Sequence, residues 1–206
     1  PRCISECSGI RIFGRRIKSL AFSTDVAIIK NINADAIIAV YPFTPQPVIS
    51  QAIISVSEVP VFVGVGGGMT NGDRSVRLAE FSEHQGASGV VVNATISNET
   101  VAKMKAVVDI PVVTTIVSGD MDIAGRLAAG ADILNVSGAS RTPEIVTKIR
   151  AEFPTVPIIA TGGPREEDIL RTIEAGANAI TYTPPTTGQL FADIMISHRK
   201  NFSHQD

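Results

Sequence analysis

From about residue 17 onward, short runs rich in β-branched and other apolar residues alternate with amphipathic stretches. The runs fall at 17–22, 36–41, 61–65, 89–93, 112–115, 133–136, 158–161 and 179–182, eight in all. Helical spacing of apolar positions appears at 25–33, 46–56, 73–85, 98–107, 121–129, 142–152, 165–175 and near 188–199. Strands alternating with helices of this length imply parallel βαβ units, and eight such units predict one closed (β/α)8 barrel. That single domain spans 1–206, with 1–16 as an N-terminal arm. Within and just beyond the arm, residues 10–18 read as a hairpin turning at Gly14 and covering the bottom of the barrel.

The punctuation repeats every two units. Asn33-Ala34-Asp35, Gly86-Ala87-Ser88, Gly130-Ala131-Asp132 and Gly176-Ala177-Asn178 precede the even-numbered runs, with a Gly or Asn suited to a left-handed helix end. Val59-Pro60, Ile110-Pro111 and Val156-Pro157 precede runs three, five and seven, where a missing N–H is tolerated at a strand's first residue. An open doubly wound sheet would expose the first and last runs as edges, and neither carries the polar residues that protect an edge.

Composition narrows the partners. The 206 residues carry 18 basic and 20 acidic side chains, so the basic excess that drives nucleic-acid binding is missing. Arg2, Arg11, Arg15, Arg16 and Lys18 do cluster near the N-terminus, as a solvated turn commonly does. Cys3 and Cys7 are the only cysteines and have no metal-ligand or redox spacing, which fits a reducing cytoplasm. No apolar run reaches the ~20 residues of a membrane-spanning helix, and the first residues have no signal-peptide character. The chain opens on Pro1 rather than Met, which leaves room for residues before it.

In a (β/α)8 barrel the chemistry sits at the C-terminal strand ends. Those positions hold Ser23, Thr24 and Asp25; Tyr41, Pro42 and Phe43; the 64–74 loop; Asn93 and Thr95; Thr115, Ser118 and Asp120; Asn135 and Ser137 to Arg141; Thr161 to Gly163; and Thr183 to Gly188. Thr161-Gly162-Gly163-Pro164, leading into an acidic helix, reads either as half of a phosphate cradle or as an ordinary turn. The glycine-rich 64–74 loop, with Gly66, Gly67 and Arg74, reads as a ligand lid, an anion nest or a flexible loop. Ser137, Gly138 and Arg141 form a further candidate anion contact, while Asn93, Thr115 and Asn135 are candidates to orient a substrate.

Pro157-Ile158-Ile159-Ala160-Thr161-Gly162-Gly163, followed by Ile173-Glu174-Ala175-Gly176-Ala177-Asn178-Ala179-Ile180, resembles the phosphate-binding aldolase-type barrels of the ribulose-phosphate-binding kind. The chain is also similar to short bacterial barrel proteins that carry a general hydrolase label. The resemblance implies a small phosphorylated ligand held after strands seven and eight. It departs at Thr183-Pro184-Pro185-Thr186-Thr187-Gly188, where two prolines have no N–H to donate, so phosphate contact there falls to Thr183, Thr186, Thr187 or Gly188.

Lys18, Lys30, Lys103, Lys105, Lys148 and Lys200 all lie away from the predicted upper strand ends, which argues against a Schiff base. His84, His198 and His204 fall on helices or the tail, and no His/carboxylate cluster has zinc spacing. Carboxylates remain: Asp25 and Asp120 first, Asp73 and Asp122 in reserve. The competing reading of Asp25 and Asp120 is that both cap their helices. Three functions stay open: a lyase or isomerase moving a proton beside a carbonyl, a hydrolase using those aspartates on a metal such as Mg2+, and a non-catalytic metabolite sensor. A homo-oligomer is the default expectation for a barrel of this type.

Overall fold

The computed structural model describes residues 1–202. His204 lies outside them. Eight parallel strands close a barrel in the order β3(Ser19–Phe22), β4(Ala36–Ala39), β5(Val61–Gly66), β6(Gly89–Val92), β7(Val112–Ile116), β8(Ile133–Val136), β9(Ile158–Thr161) and β10(Ala179–Tyr182), with β10 returning to β3. Helices α1(Val26–Asn31), α2(Pro47–Val56), α3(Asp73–His84), α4(Asn98–Lys105), α5(Ile123–Ala128), α6(Thr142–Glu152), α7(Glu166–Glu174) and α8(Thr187–Phe202) follow the strands in turn. The predicted closed barrel is therefore present.

Alternation along each strand builds two cores. Outward residues such as Ile37, Val63, Val90, Leu134 and Ile180 pack beneath the helices. Inward residues Leu20, Ala36, Ile38, Phe62, Val91, Val113, Ile133, Ile159 and Ala179 fill the barrel itself. The floor is closed by the hairpin β1(Ile10–Ile12) and β2(Arg15–Ile17), whose Ile10, Ile12 and Ile17 are buried in that inner cluster. The first predicted run thus divides at Lys18: Ile17 pairs with Ile10, and the backbone N–H groups of Lys18 and Ser19 both donate to Asp35 Oδ2 at 2.8 and 3.0 Å before the barrel strand starts.

The two-unit repeat has a hydrogen-bond origin. The Pro60, Pro111 and Pro157 carbonyls accept from Ile37, Val90 and Leu134 of the preceding strands. Asp35, Asp132 and Asn178 use side-chain oxygens to accept from the first residues of β3, β7 and β9. Gly86, Gly130 and Gly176 end their helices at positive φ as expected. Asn33 does not: α1 ends on an extended Ile32, and Asn33 is not among the positive-φ residues. The left-handed reading of that position is corrected: the chain leaves α1 through the extended Ile32, and the Asp35 side chain closes the turn onto the Lys18 and Ser19 N–H groups.

Before the barrel, a 3-10 turn, Arg2–Glu6, buries Cys3, Ile4 and Cys7 against Ile169, Ala177 and Ile180. Beside it a groove lined by Ile4, Ser5, Lys18, Asn33, Asp35 and Tyr182 runs from β10 toward the start of β4. The N-terminal segment therefore occupies the outer side of the barrel between α7 and α1. No helix among the described residues is long and apolar enough to cross a membrane.

Candidate functional site

Above the inner core, the next inward residue of each strand lines a cavity of about 410 Å3 at the C-terminal mouth. Its wall changes character around the ring. Phe22, Val40 and Gly64 stand at the ends of β3, β4 and β5, with Tyr41, Pro42, Phe43 and Met69 above them. Asn93, Thr115, Asn135, Thr161 and Thr181 take the equivalent places from β6 to β10, with Ser137 beside them. One half of the mouth is apolar; the other is neutral and hydrogen-bonding.

The polar half is only partly self-satisfied. Asn135 Nδ2 donates to Thr115 Oγ1 at 3.4 Å, and Thr161 Oγ1 donates to Ser137 Oγ at 3.3 Å. Asn93 Oδ1 accepts from its neighbour's backbone N–H, Ala94, at 2.7 Å. Asn135 Oδ1 and Thr181 Oγ1 are buried with no protein partner. No lysine, arginine, histidine or carboxylate lines the cavity.

Sequence reasoning thus located Gly66, Asn93, Thr115, Asn135, Ser137 and Thr161 in one site. It passed over Thr181, two residues before the Thr183 that it chose. The signal was available: Thr181 follows the buried Ala179 at the strand period of two, so both face inward. Thr183 and Thr186 are exposed above the barrel, outside the cavity lining, and the Thr186 N–H donates to Gln189 Oε1 at 2.8 Å.

Asp25 stands at the rim rather than in the cavity. Its Oδ1 accepts from the Ala27 and Ile28 N–H groups, capping α1, and its Oδ2 accepts from the Thr187 hydroxyl at 2.5 Å and the Thr187 N–H at 3.1 Å. The Thr187 hydroxyl bond, helped by the Thr187, Ile28 and Ala27 N–H bonds, holds the Asp25 carboxyl below the usual carboxylate range against the opposing effect of burial. A carboxylate therefore already sits at the N-terminus of α8, where the resemblance implied a phosphate.

Asp120 is farther off. It is almost wholly exposed and paired with Lys148 at 2.9 Å, and the Lys148 hydrogen bond and charge hold its carboxyl low. Asp122 caps α5 through the Gly125 N–H, and Asp73 pairs with Lys103. Among the described residues no group of three or more His, Cys, Asp or Glu is gathered to hold a metal ion. Asp25 is engaged on both oxygens and Asp120 is in its own ion pair, so the structure does not bring these two carboxylates together as a shared Mg2+ site.

The 64–74 loop is a built turn at its base. The Gly67 N–H donates to the Thr70 carbonyl at 2.9 Å, the Asn93 N–H donates to the Gly66 carbonyl at 2.9 Å, and Thr95 Oγ1 donates to the Gly67 carbonyl. Gly67 has φ +90°, and a Cβ there would meet the Asn93 backbone nitrogen at 2.5 Å. Its N–H is thus taken and makes no anion nest. Arg74 and Arg141 are exposed on α3 and ahead of α6, outside the cavity lining. The Gly138 N–H donates to Thr142 Oγ1, and the Gly162 N–H to the Thr181 carbonyl. Gly163 is exposed at positive φ beside α7, whose first turn already holds Glu166, Glu167 and Asp168.

No protein-family model and no curated protein matches the chain. Solved structures do. A 2,3-dimethylmalate lyase of the PEP mutase/isocitrate lyase superfamily superposes with TM-score 0.65 at 13% identity, over 98% of this chain and 84% of that one. A phosphonopyruvate hydrolase in complex with oxalate and Mg2+ gives 0.65 at 14%, over 92% and 82%. QR15, an aldolase, gives 0.63 at 16%, over 80% and 88%. At these identities the likeness shows the shared barrel.

Proposed function

We propose that the barrel binds a small, partly apolar molecule in its mouth, with a neutral hydrogen-bond-donating end foremost. The observation that carries this reading is the two-sided ring above the core, with Asn135 Oδ1 and Thr181 Oγ1 buried and unpartnered on its polar side. A cavity of this volume suits one small ligand, for which the usual range is roughly 300–1,000 Å3. An amide oxygen accepts only, so Asn135 Oδ1 asks the ligand for an O–H or N–H, and Thr181 can serve either role. Phe22, Val40, Tyr41 and Phe43 supply a wall for an aliphatic or aromatic part.

A phosphate driven to this floor would lose its hydration with no counter-charge to replace it, at a cost of several kcal/mol. In a phosphorylated ligand, the phosphate accordingly stays at the rim, outside the neutral ring of Asn93, Thr115, Asn135, Thr161 and Thr181.

A lyase or isomerase step is the second reading, favoured by the fold shared with the lyase and the aldolase and by Asp25, an ionised carboxylate at the rim. There Asp25 would take a proton from a carbon beside a carbonyl after Thr187 releases it. Thermal unfolding with a panel of small alcohols, amides and sugars, each with and without phosphate, tests the binding reading, since a ligand of the native state raises the midpoint. Midpoints should rise for the neutral members as well as their phosphates. A rise for inorganic phosphate and phosphate esters alone would contradict it. Asp25→Asn separates the second reading: a binding protein keeps the shift, whereas an enzyme keeps the shift and loses turnover.

A further inference from the structure

The helix α8 stands apart from the other seven. From Thr187 to Lys200 every residue is exposed except a half-buried Met195. Leu190, Phe191, Ile194 and Met195 nevertheless fall on one side at helical spacing, and Phe191 is 64% exposed. The place between α7 and α1 that would bury this stripe holds the Arg2–Glu6 turn, with Cys3, Ile4 and Cys7 buried there. Folding α8 back would displace those residues.

A second apolar surface lies on the same chain without a cover. At the rim over the first three barrel strands, Phe22, Val26, Phe43, Val48 and Met69 are exposed, with Phe43 at 70% and Met69 at 85%. Between residues 36 and 72 the sole charged residue is Glu58, and α2 carries no charge on any face. A solvent-facing helix of a barrel ordinarily carries charge; depletion of charge beside exposed aromatic and Met side chains is the mark of an interface. Thr187 binds Asp25 at the start of α1, so α8 departs from the edge of this same rim.

We infer that the chain forms a two-fold dimer in which α8 of each copy lies across the rim and α2 face of the other. Both halves of the contact are present on one chain, as a self-complementary two-fold interface requires. A helix of α8's length is about 24 Å long and about 10 Å wide. A reciprocal exchange buries one such face and its seat in each of two copies, which reaches the order of 1,000 Å2 that specific association needs. In the dimer the partner's helix roofs the mouth, so the ligand cavity is complete only when two copies meet. The inference stands on burial and charge pattern and does not depend on which ligand is bound.

Light scattering on the full chain at micromolar concentration reads this directly. The expected mass is twice the 21.7 kDa of one chain. Phe191→Glu with Ile194→Glu, and separately Phe43→Glu with Met69→Glu, should each give the single-chain mass with circular dichroism and melting cooperativity retained, because all four side chains are outside the core. A wild-type chain of single mass at every concentration overturns the inference. So does a dimer that survives both pairs of substitutions, or one broken by only one pair, since the two surfaces would then not be each other's seat.

Discussion

Thr181 places a hydroxyl where the barrel itself offers no partner, a position that suits a ligand better than it suits stability. Thr181→Val keeps the shape and removes the hydroxyl. The variant should be at least as stable as wild type, by up to about 1 kcal/mol or roughly 2–4 °C in the melting midpoint, while losing ligand-induced stabilisation. Calorimetry with and without ligand checks both halves. At Cys7 burial couples to titration: it pushes the thiol up to about 11. Since the folded value lies above the unfolded one, this contribution is complete below the unfolded thiol's range and is lost as pH rises toward 11. Melting midpoints should fall over that alkaline window more steeply in wild type than in Cys7→Ala. Of the site, sequence revealed the ring residues Asn93, Thr115, Asn135, Ser137 and Thr161 because strand-end position alone selects them. The partners of Asp25 and Asp120, Thr187 and Lys148, were not legible there, because only the fold brings them together.

At the scale of elements, the arm and the 64–74 loop explain how a small barrel holds a shaped mouth. Ile17, 1% exposed, seals the floor with Ile10 and Ile12, so Ile17→Ala should cost about 3 kcal/mol, measured by denaturant unfolding. Gly67→Ala forces a Cβ into the Asn93 backbone at positive φ; it should destabilise the chain by at least 1 kcal/mol and weaken binding, as the Asn93 segment shifts. Strand and helix positions were legible because alternation and helical periodicity are local signals, and α6 at 142–152 matches its predicted span. The division of the first run at Lys18 was not, because it depends on Asp35, 17 residues away. Nor did periodicity reveal that α8 stays off the barrel: its apolar stripe reads the same whether its own chain or another buries it.

At the scale of the whole molecule, the barrel of the described residues is sealed at the bottom and opens at its mouth, which divides into an apolar side and a neutral polar side. That division assigns the orientation of whatever binds. The most direct measurement is a crystal structure of the protein with whichever panel compound raises its melting midpoint most. Density is expected inside the mouth, with an O–H or N–H of the ligand within hydrogen-bond distance of Asn135 Oδ1 and Thr181 Oγ1 and any phosphate outside the ring. A ligand bound at Gly163 with the cavity unoccupied by it, or a charged group seated on Asn135, would contradict it.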